Sequence, residues 1–305
     1  MNEITKELLE KIADLHDIPQ GAYNIRENGK PLARNCTDEI EIVSKKDKDG
    51  IDIIVKPNTK KQSVHIPVVV SMGGFNDLVY NDFYIGDNSD VLIVAGCGIH
   101  NNSNQKSSHN GIHSFYIGKN CKVKYVEKHL ALGTLKTEKI LNPVTNIEVG
   151  ENSVFEMETV QLGGVTYSNR ETYAKLNDNA TLVIGEKILT TGTDVAKTSF
   201  DVDLVGFNSK VEVVSRAVAK DNSVQEFNSN LVGMNKCFGH VECDGVISEN
   251  AEIASTPKII AKNIDASLVH EAAIGKISEE QIIKLMTLGL SKEEAEQKII
   301  DGFLK

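Results

Sequence analysis

Through the middle of the chain, apolar and polar residues alternate in short runs such as Val91-Leu-Ile-Val and Val123-Lys-Tyr-Val, and the runs end at Gly, Asn or Asp. Alternation with a period of two marks strands that bury one face. No helical spacing occurs between about Glu39 and Val269. Three segments are near copies: Phe83-Tyr-Ile-Gly-Asp-Asn88-Ser-Asp-Val, Phe115-Tyr-Ile-Gly-Lys-Asn120-Cys-Lys-Val and Asn146-Ile-Glu-Val-Gly-Glu-Asn152-Ser-Val, with their asparagines 32 residues apart. Weaker copies follow at Asn179, Asn208, Asn222 and Asn250. Each reads as a strand, a turn on an Asn that tolerates left-handed backbone angles, a small residue and a second strand. One such unit cannot bury its apolar face alone, whereas stacked units share a continuous core. The expectation is a mainly β fold, a parallel β-helix, with a β-sandwich as the alternative.

Both ends differ from the middle. Ile4, Leu8, Leu9, Ile12 and Leu15 recur at helical spacing, and Pro19-Gln-Gly21 stops the pattern. Ser278-Glu-Glu-Gln281 and Ser291-Lys-Glu-Glu294 read as two capping boxes, each opening an amphipathic helix, with Gly289 between them where positive φ is needed. The apolar content of this tail exceeds what two short helices bury against each other, so it docks on the β-domain or on a partner. The predicted organisation is an N-terminal helical segment over 1–35, a parallel β-helix over 36–272 and a C-terminal helical segment over 273–305.

Charge and targeting narrow the function. With 43 acidic against 33 basic residues the net formal charge is -10, and no basic stripe interleaved with aromatics offsets it, so nucleic acid is not an expected partner. No window approaches the ~20 apolar residues of a membrane span, and the N-terminus lacks the apolar core of a signal peptide, so no membrane association and a cytoplasmic location are expected. The five cysteines are irregularly spaced, which favours reduced thiols over a disulfide framework.

Two constellations carry candidate chemistry. In the last quarter Cys243, within Gly-His-Val-Glu-Cys-Asp-Gly, precedes His270-Glu271, and a thiolate with an imidazole and a carboxylate is a mixed ligand set suited to iron. Cys243 shares strand parity with Val241, so its alternative is a small buried hydrophobe. His270 and Glu271 are neighbours on a strand and point to opposite faces unless it bulges, so one serves as direct ligand and the other as its orienting or proton-handling companion. The second constellation is Gly96-Cys97-Gly-Ile-His100 with His109-Asn-Gly-Ile-His113. Its Cys-x2-His opening is compatible with a metal or sulfur-delivery site, although it matches no known zinc spacing, and Asn110-Gly111 reads as a turn in a polar surface loop. Cys237 is a candidate accessory thiol, and Cys121 fills the small-residue slot held by Ser89 and Ser153 in the neighbouring repeats. The run from Gly192 to Thr198 lacks the second glycine of a phosphate loop, so any ATPase is a separate subunit.

The segment Asn230-Leu-Val-Gly-Met-Asn-Lys-Cys-Phe-Gly-His-Val-Glu-Cys243-Asp-Gly, with Val269-His-Glu-Ala, Lys276-Ile-Ser-Glu-Glu-Gln and Leu288-Gly-Leu-Ser-Lys-Glu-Glu-Ala, resembles the SufB/SufD family of iron-sulfur cluster assembly proteins. The likeness is strongest from Asp201 onward, and the long N-terminal part of the larger members is missing. The resemblance implies a right-handed β-helix that dimerises through its C-terminal coils and binds a SufC-like ABC ATPase through its terminal helices. It implies a transient iron-sulfur cluster at that interface, with Cys243 matching the B-type cysteine, His270 the D-type histidine and Glu271 a glutamate of the B-type. One chain then supplies all three as a homodimer, fed by a sulfur donor and emptied by apo-protein acceptors. The alternatives are a metal-dependent β-helix enzyme using Cys97, His100, His109 and His113, and a cofactor-free adaptor for ATPase subunits.

Overall fold

The computed structural model describes residues 3–15, 19–133, 137–161 and 163–305. In chain order these hold α1 (Glu3–Ala13), β1 (Ala22–Glu27), β2 (Lys30–Asn35), β3 (Ile40–Ser44), β4 (Gly50–Val55), β5 (Lys60–Val70), β6 (Asn76–Ile85) and β7 (Asp90–His100). There follow β8 (Ser107–Ile117), β9 (Lys122–Leu132), β10 (Lys139–Leu141), β11 (Val144–Val149), β12 (Val154–Gln161), β13 (Tyr167–Leu176) and β14 (Thr181–Thr190). The chain closes with β15 (Val195–Leu204), β16 (Ser209–Ala219), β17 (Val224–Gly233), β18 (Cys237–Ile247), β19 (Glu252–Ala261), β20 (Ala266–Lys276), α2 (Glu279–Met286) and α3 (Lys292–Phe303).

The strands form two sheets, and the chain passes between them twice per coil. The first runs β2-β1-β5-β7-β9-β12-β14-β16-β18-β20 and the second β19-β17-β15-β13-β10-β8-β6-β4-β3, with β11 bridging β8 and β13. Pairing is parallel throughout except for β1 with β2 and β3 with β4. The result is the expected parallel β-solenoid, with about eight turns and three short terminal helices.

The repeated asparagines set one corner of the coil. Asn58, Asn88, Asn120, Asn152, Asn179 and Asn208 all have positive φ, from 54° to 67°, where the second sheet hands the chain to the first. Their amides join successive coils: Asn88 Nδ2 donates to Asn58 Oδ1 at 3.2 Å, Asn120 to Asn88 at 3.2 Å and Asn179 to Asn152 at 3.0 Å. Cys121 does fill the structural slot, its N–H donating to Ser153 Oγ at 2.8 Å. The copies at Asn222 and Asn250 belong to the opposite corner instead. There Asp221 and Glu249 take the left-handed angle, and the two asparagines form a separate 3.4 Å ladder.

Inside, Phe83 stacks on Phe115 with centroids 4.3 Å apart, and Phe155 and Tyr125 continue an aromatic and aliphatic column. Outside, α1 lies across the first sheet with Leu8, Leu9 and Ile12 buried against Ile25, Val69 and Leu130. It comes so close because Gly96 and Gly98 lack side chains: a Cβ on Gly98 would stand 2.9 Å from Leu8 Cδ2, and one on Gly96 2.7 Å from the Ile12 carbonyl oxygen.

In the tail, Ser291 and Glu294 form the expected capping box. Ser278 makes no side-chain cap; Glu279, in the first turn, is instead drawn into a 3.0 Å ion pair with Lys276. Gly289 has φ 96° as its position requires. The end of α3 returns to the first sheet, where Arg216 Nη1 donates to the Phe303 carbonyl at 3.3 Å and Lys187 Nζ to that of Lys305 at 2.6 Å.

Candidate functional site

Because parallel strands pair in register, inward side chains form straight rows along the coil axis. One row reads Ile66, Ala95, Glu127, Thr159, Glu186, Ser215, Cys243, Ala272 along the first sheet. It begins and ends apolar and is polar between. Burying such groups is costly unless they are paired, and here most are. Arg170, projecting from the second sheet, donates from Nη1 to Glu127 Oε2 at 2.8 Å and lies 4.0 Å from Glu186 Oε1 through Nε. His129 Nε2 is 3.3 Å from the other Glu127 oxygen. Thr198 donates to Glu186 Oε1 at 3.1 Å and Ser215 to Oε2 at 2.8 Å.

The two glutamates are tuned apart. Burial alone would raise both, but His129 and Arg170 hold the Glu127 carboxyl well below the usual range. Burial prevails at Glu186, whose carboxyl is pushed up against the opposing pull of Arg170, Ser215 and Thr198. Neighbouring in the same interior, His113 Nδ1 lies 2.8 Å from the Tyr125 hydroxyl, and burial drives the imidazole down to about 4.

Cys243 is the next step of the row after Ser215 and is 0 % exposed. Burial pushes its thiol up to about 11, and the Ser255 hydroxyl is the neighbour that works the other way. Strand β20 covers it: Ala272 is its register partner, and His270 pairs with Val241 without any bulge. His270 therefore shares the inner face with Cys243, one pleat along and roughly 8 Å away between Cα atoms from strand spacing and rise. Its Nδ1 lies 3.3 Å from Ser229 Oγ, while its Nε2 is buried without a partner. Burial lowers its pKa, which keeps a lone pair on the ring. Glu271 is on the opposite, outer face, exposed, with its carboxylate 3.8 Å from His240 Nε2. The structure thus brings Cys243 and His270 to one interior and sets Glu271 outside it.

The second constellation comes together only in part, His109 and His113 both facing Gly111. Among the described residues no group of three or more His, Cys, Asp or Glu has the geometry of a metal site. Cys97 is buried among Val70, Ile99 and Leu141, in register with His129, and burial raises its thiol well above the ordinary value. His100 meets Asn102 at 3.0 Å, His109 is held by Asp77 at 2.9 Å, and His113 by Tyr125. The turn expected at Asn110-Gly111 is absent; both lie within β8, where Gly111 makes room for the two imidazoles, a Cβ there falling 3.0 Å from His113 Nε2 and 3.3 Å from His109 Nε2. Phe238-Gly239 is likewise continuous strand.

Sequence reasoning did not single out Glu127, Arg170, Glu186, Ser215 or Ser255. A signal exists for the first: in Val123-Lys-Tyr-Val-Glu-Lys-His, Glu127 and His129 carry the parity of the buried Val123 and Tyr125.

The family described as SUF system FeS cluster assembly, SufBD core domain, matches residues 81–303. An iron-sulfur cluster assembly SufBD family protein of Archaeoglobus fulgidus is 30% identical over 228 residues, 74% of this chain and 60% of that protein. A member from Methanocaldococcus jannaschii is 27% identical over 274 residues, covering 88% of this chain and 85% of its own length. One from Pyrococcus horikoshii is 27% identical over 285 residues, covering 90% and 84%. Against one from Methanothermobacter thermautotrophicus the match spans only 53% of the relative.

Proposed function

Since the chain belongs to the SufBD family and so has a role in iron-sulfur cluster assembly, we propose that it is a scaffold on which a transient cluster is built at Cys243 and His270. The observation that carries this reading is the buried, unpartnered Nε2 of His270 on the same inner face as the Cys243 thiol. A neutral imidazole with a free lone pair and a thiol that becomes thiolate on binding are ligands for iron, and one imidazole in place of a second thiolate suits a cargo that must leave again. Glu271, outside beside His240, meets iron arriving from solvent. Cys97 lies beside His129 at the other end of the interior polar row, which supports it as the point where sulfur is received.

Pairing of two copies would bring two such sites together, and the sheet edges support β20 as the strand that pairs. Edge strands usually carry devices against pairing. Strand β2 has Lys30, Pro31 and Arg34, β3 is five residues long and β19 has Pro257-Lys258, whereas β20 runs 11 residues with no proline and no lysine or arginine before Lys276. Exposed Ile283, Met286 and Leu288 on the helical tail support its role as the contact for an ABC-type ATPase.

Anaerobic reconstitution with ferrous iron and sulfide tests the assignment. Cys243→Ala abolishes the cluster absorbance, His270→Ala reduces it severely, and Glu271→Ala slows loading while leaving the final absorbance near that of the parent. Full absorbance in Cys243→Ala would refute the site.

A further inference from the structure

We infer that Ser255 is a positioning residue of the assembly site, its hydroxyl being the hydrogen-bond donor that holds the Cys243 sulfur once iron is attached. This rests on Cys243 being the cluster ligand and adds a second requirement to that site.

Two hydroxyls flank the Cys243 sulfur, one from each sheet. Ser215, its register partner on β16, already spends its hydrogen on Glu186 Oε2 at 2.8 Å and has only lone pairs to offer. Ser255, on an inward position of β19 opposite Phe227, is different: its Oγ is buried and makes no hydrogen bond. A buried hydroxyl without a partner is costly and calls for an explanation. Seven buried side-chain atoms among the described residues lack partners, and two of them, Ser255 Oγ and His270 Nε2, belong to the coil that closes over Cys243. They are complementary: the imidazole offers a lone pair and the hydroxyl a hydrogen. A metal ion satisfies the first and a metal-bound thiolate the second, so a loaded site leaves neither atom unpaired. One pleat along, a Cβ on Gly245 of β18 would fall 3.0 Å from Ile253 Cδ1 of β19, so the two strands face each other across the interior and set Ser255 opposite Cys243. Hydrogen bonds to ligating sulfurs set cluster potential and lability, so this contact governs how firmly the cargo is held.

The test uses the full chain reconstituted anaerobically with ferrous iron and sulfide, in the parent, Ser255→Ala, the equal-shape pair Ser255→Thr and Ser255→Val, Ser215→Ala and Cys243→Ala. The iron-sulfur stretching band that disappears in Cys243→Ala is followed by resonance Raman, and cluster loss is timed against a chelator. Donation from Ser255 predicts that Ala and Val move this band to higher frequency and speed cluster loss about tenfold, the size of one charge-assisted hydrogen bond, while Thr restores both and Ser215→Ala leaves the band in place. An unmoved band and unchanged loss in both Ala and Val, with a Cys243-dependent cluster present, would overturn the Ser255 role alone, as would Thr behaving like Val. A parent cluster indifferent to Cys243→Ala would overturn this inference together with the site assignment beneath it.

Discussion

Replacing Arg170 by Met is the sharpest perturbation of the solenoid interior. Arg170 is 9% exposed and contacts Glu127 at 2.8 Å, His129 Nδ1 at 3.3 Å and Glu186 at 4.0 Å, and these two carboxylates are 5% and 1% exposed. Removing one partner of a buried ion pair costs about 3–5 kcal/mol, because the remaining charge has lost its compensation without regaining water. The loss is pH-dependent. In the parent, Glu127 is held ionised in the folded state, a stabilisation that disappears only on acidification below the ordinary carboxylate range. Without Arg170, burial raises the Glu127 carboxyl, so the folded state takes up a proton that the unfolded state does not hold near neutrality. Stability of the variant then falls as pH rises, by up to about 1.4 kcal/mol per pH unit while that difference lasts. Urea unfolding of parent and variant at pH 5 and pH 8 measures both effects, and Arg170→Met with Glu127→Gln recovers a large part of the loss at pH 8. A loss below about 1 kcal/mol at pH 8, or one equal at the two pH values, would show that the network is not held together by this guanidinium.

Gly98→Leu forces α1 off the first sheet, since even a Cβ stands 2.9 Å from Leu8; a loss of about 1–3 kcal/mol and faster proteolysis within residues 3–13 are expected. Asn120→Ala places a Cβ residue without a ladder amide at φ 54° and lowers stability by about 1–2 kcal/mol, while Asn120→Gly, which accepts that angle, loses less in the same thermal melt. Because His113 is depressed to about 4, the unfolded chain protonates first as pH falls. Stability is therefore lost between about pH 6.5 and 4, by about 3 kcal/mol from this residue, and His113→Asn flattens that part of the profile.

The coil was legible in the sequence because its turns obey a local rule: only residues tolerant of left-handed angles fit the corner, and stacking makes the same residue recur. Asn222 and Asn250 show where the rule weakens, since a second corner with its own ladder produces the same residue signature. The polar interior was hidden for another reason. Parity points Glu127, Glu186 and Ser215 inward, but an inward glutamate is tolerable only if Arg170 reaches it from the opposite sheet, and that pairing depends on register across coils of unequal length. Parity likewise separates His270 from Glu271, yet which of them joins Cys243 follows only from Cys243 standing opposite Ala272. The glycines of Gly96-Cys97-Gly98 make room for the helix outside, a role visible only once α1 is seen lying across them.

A stack of parallel strands is in principle a template for endless growth, and the unequal treatment of its four borders limits this one. Three of them are marked by proline, lysine or brevity, so extension by strand addition is left open at one border alone, the outer edge of β20.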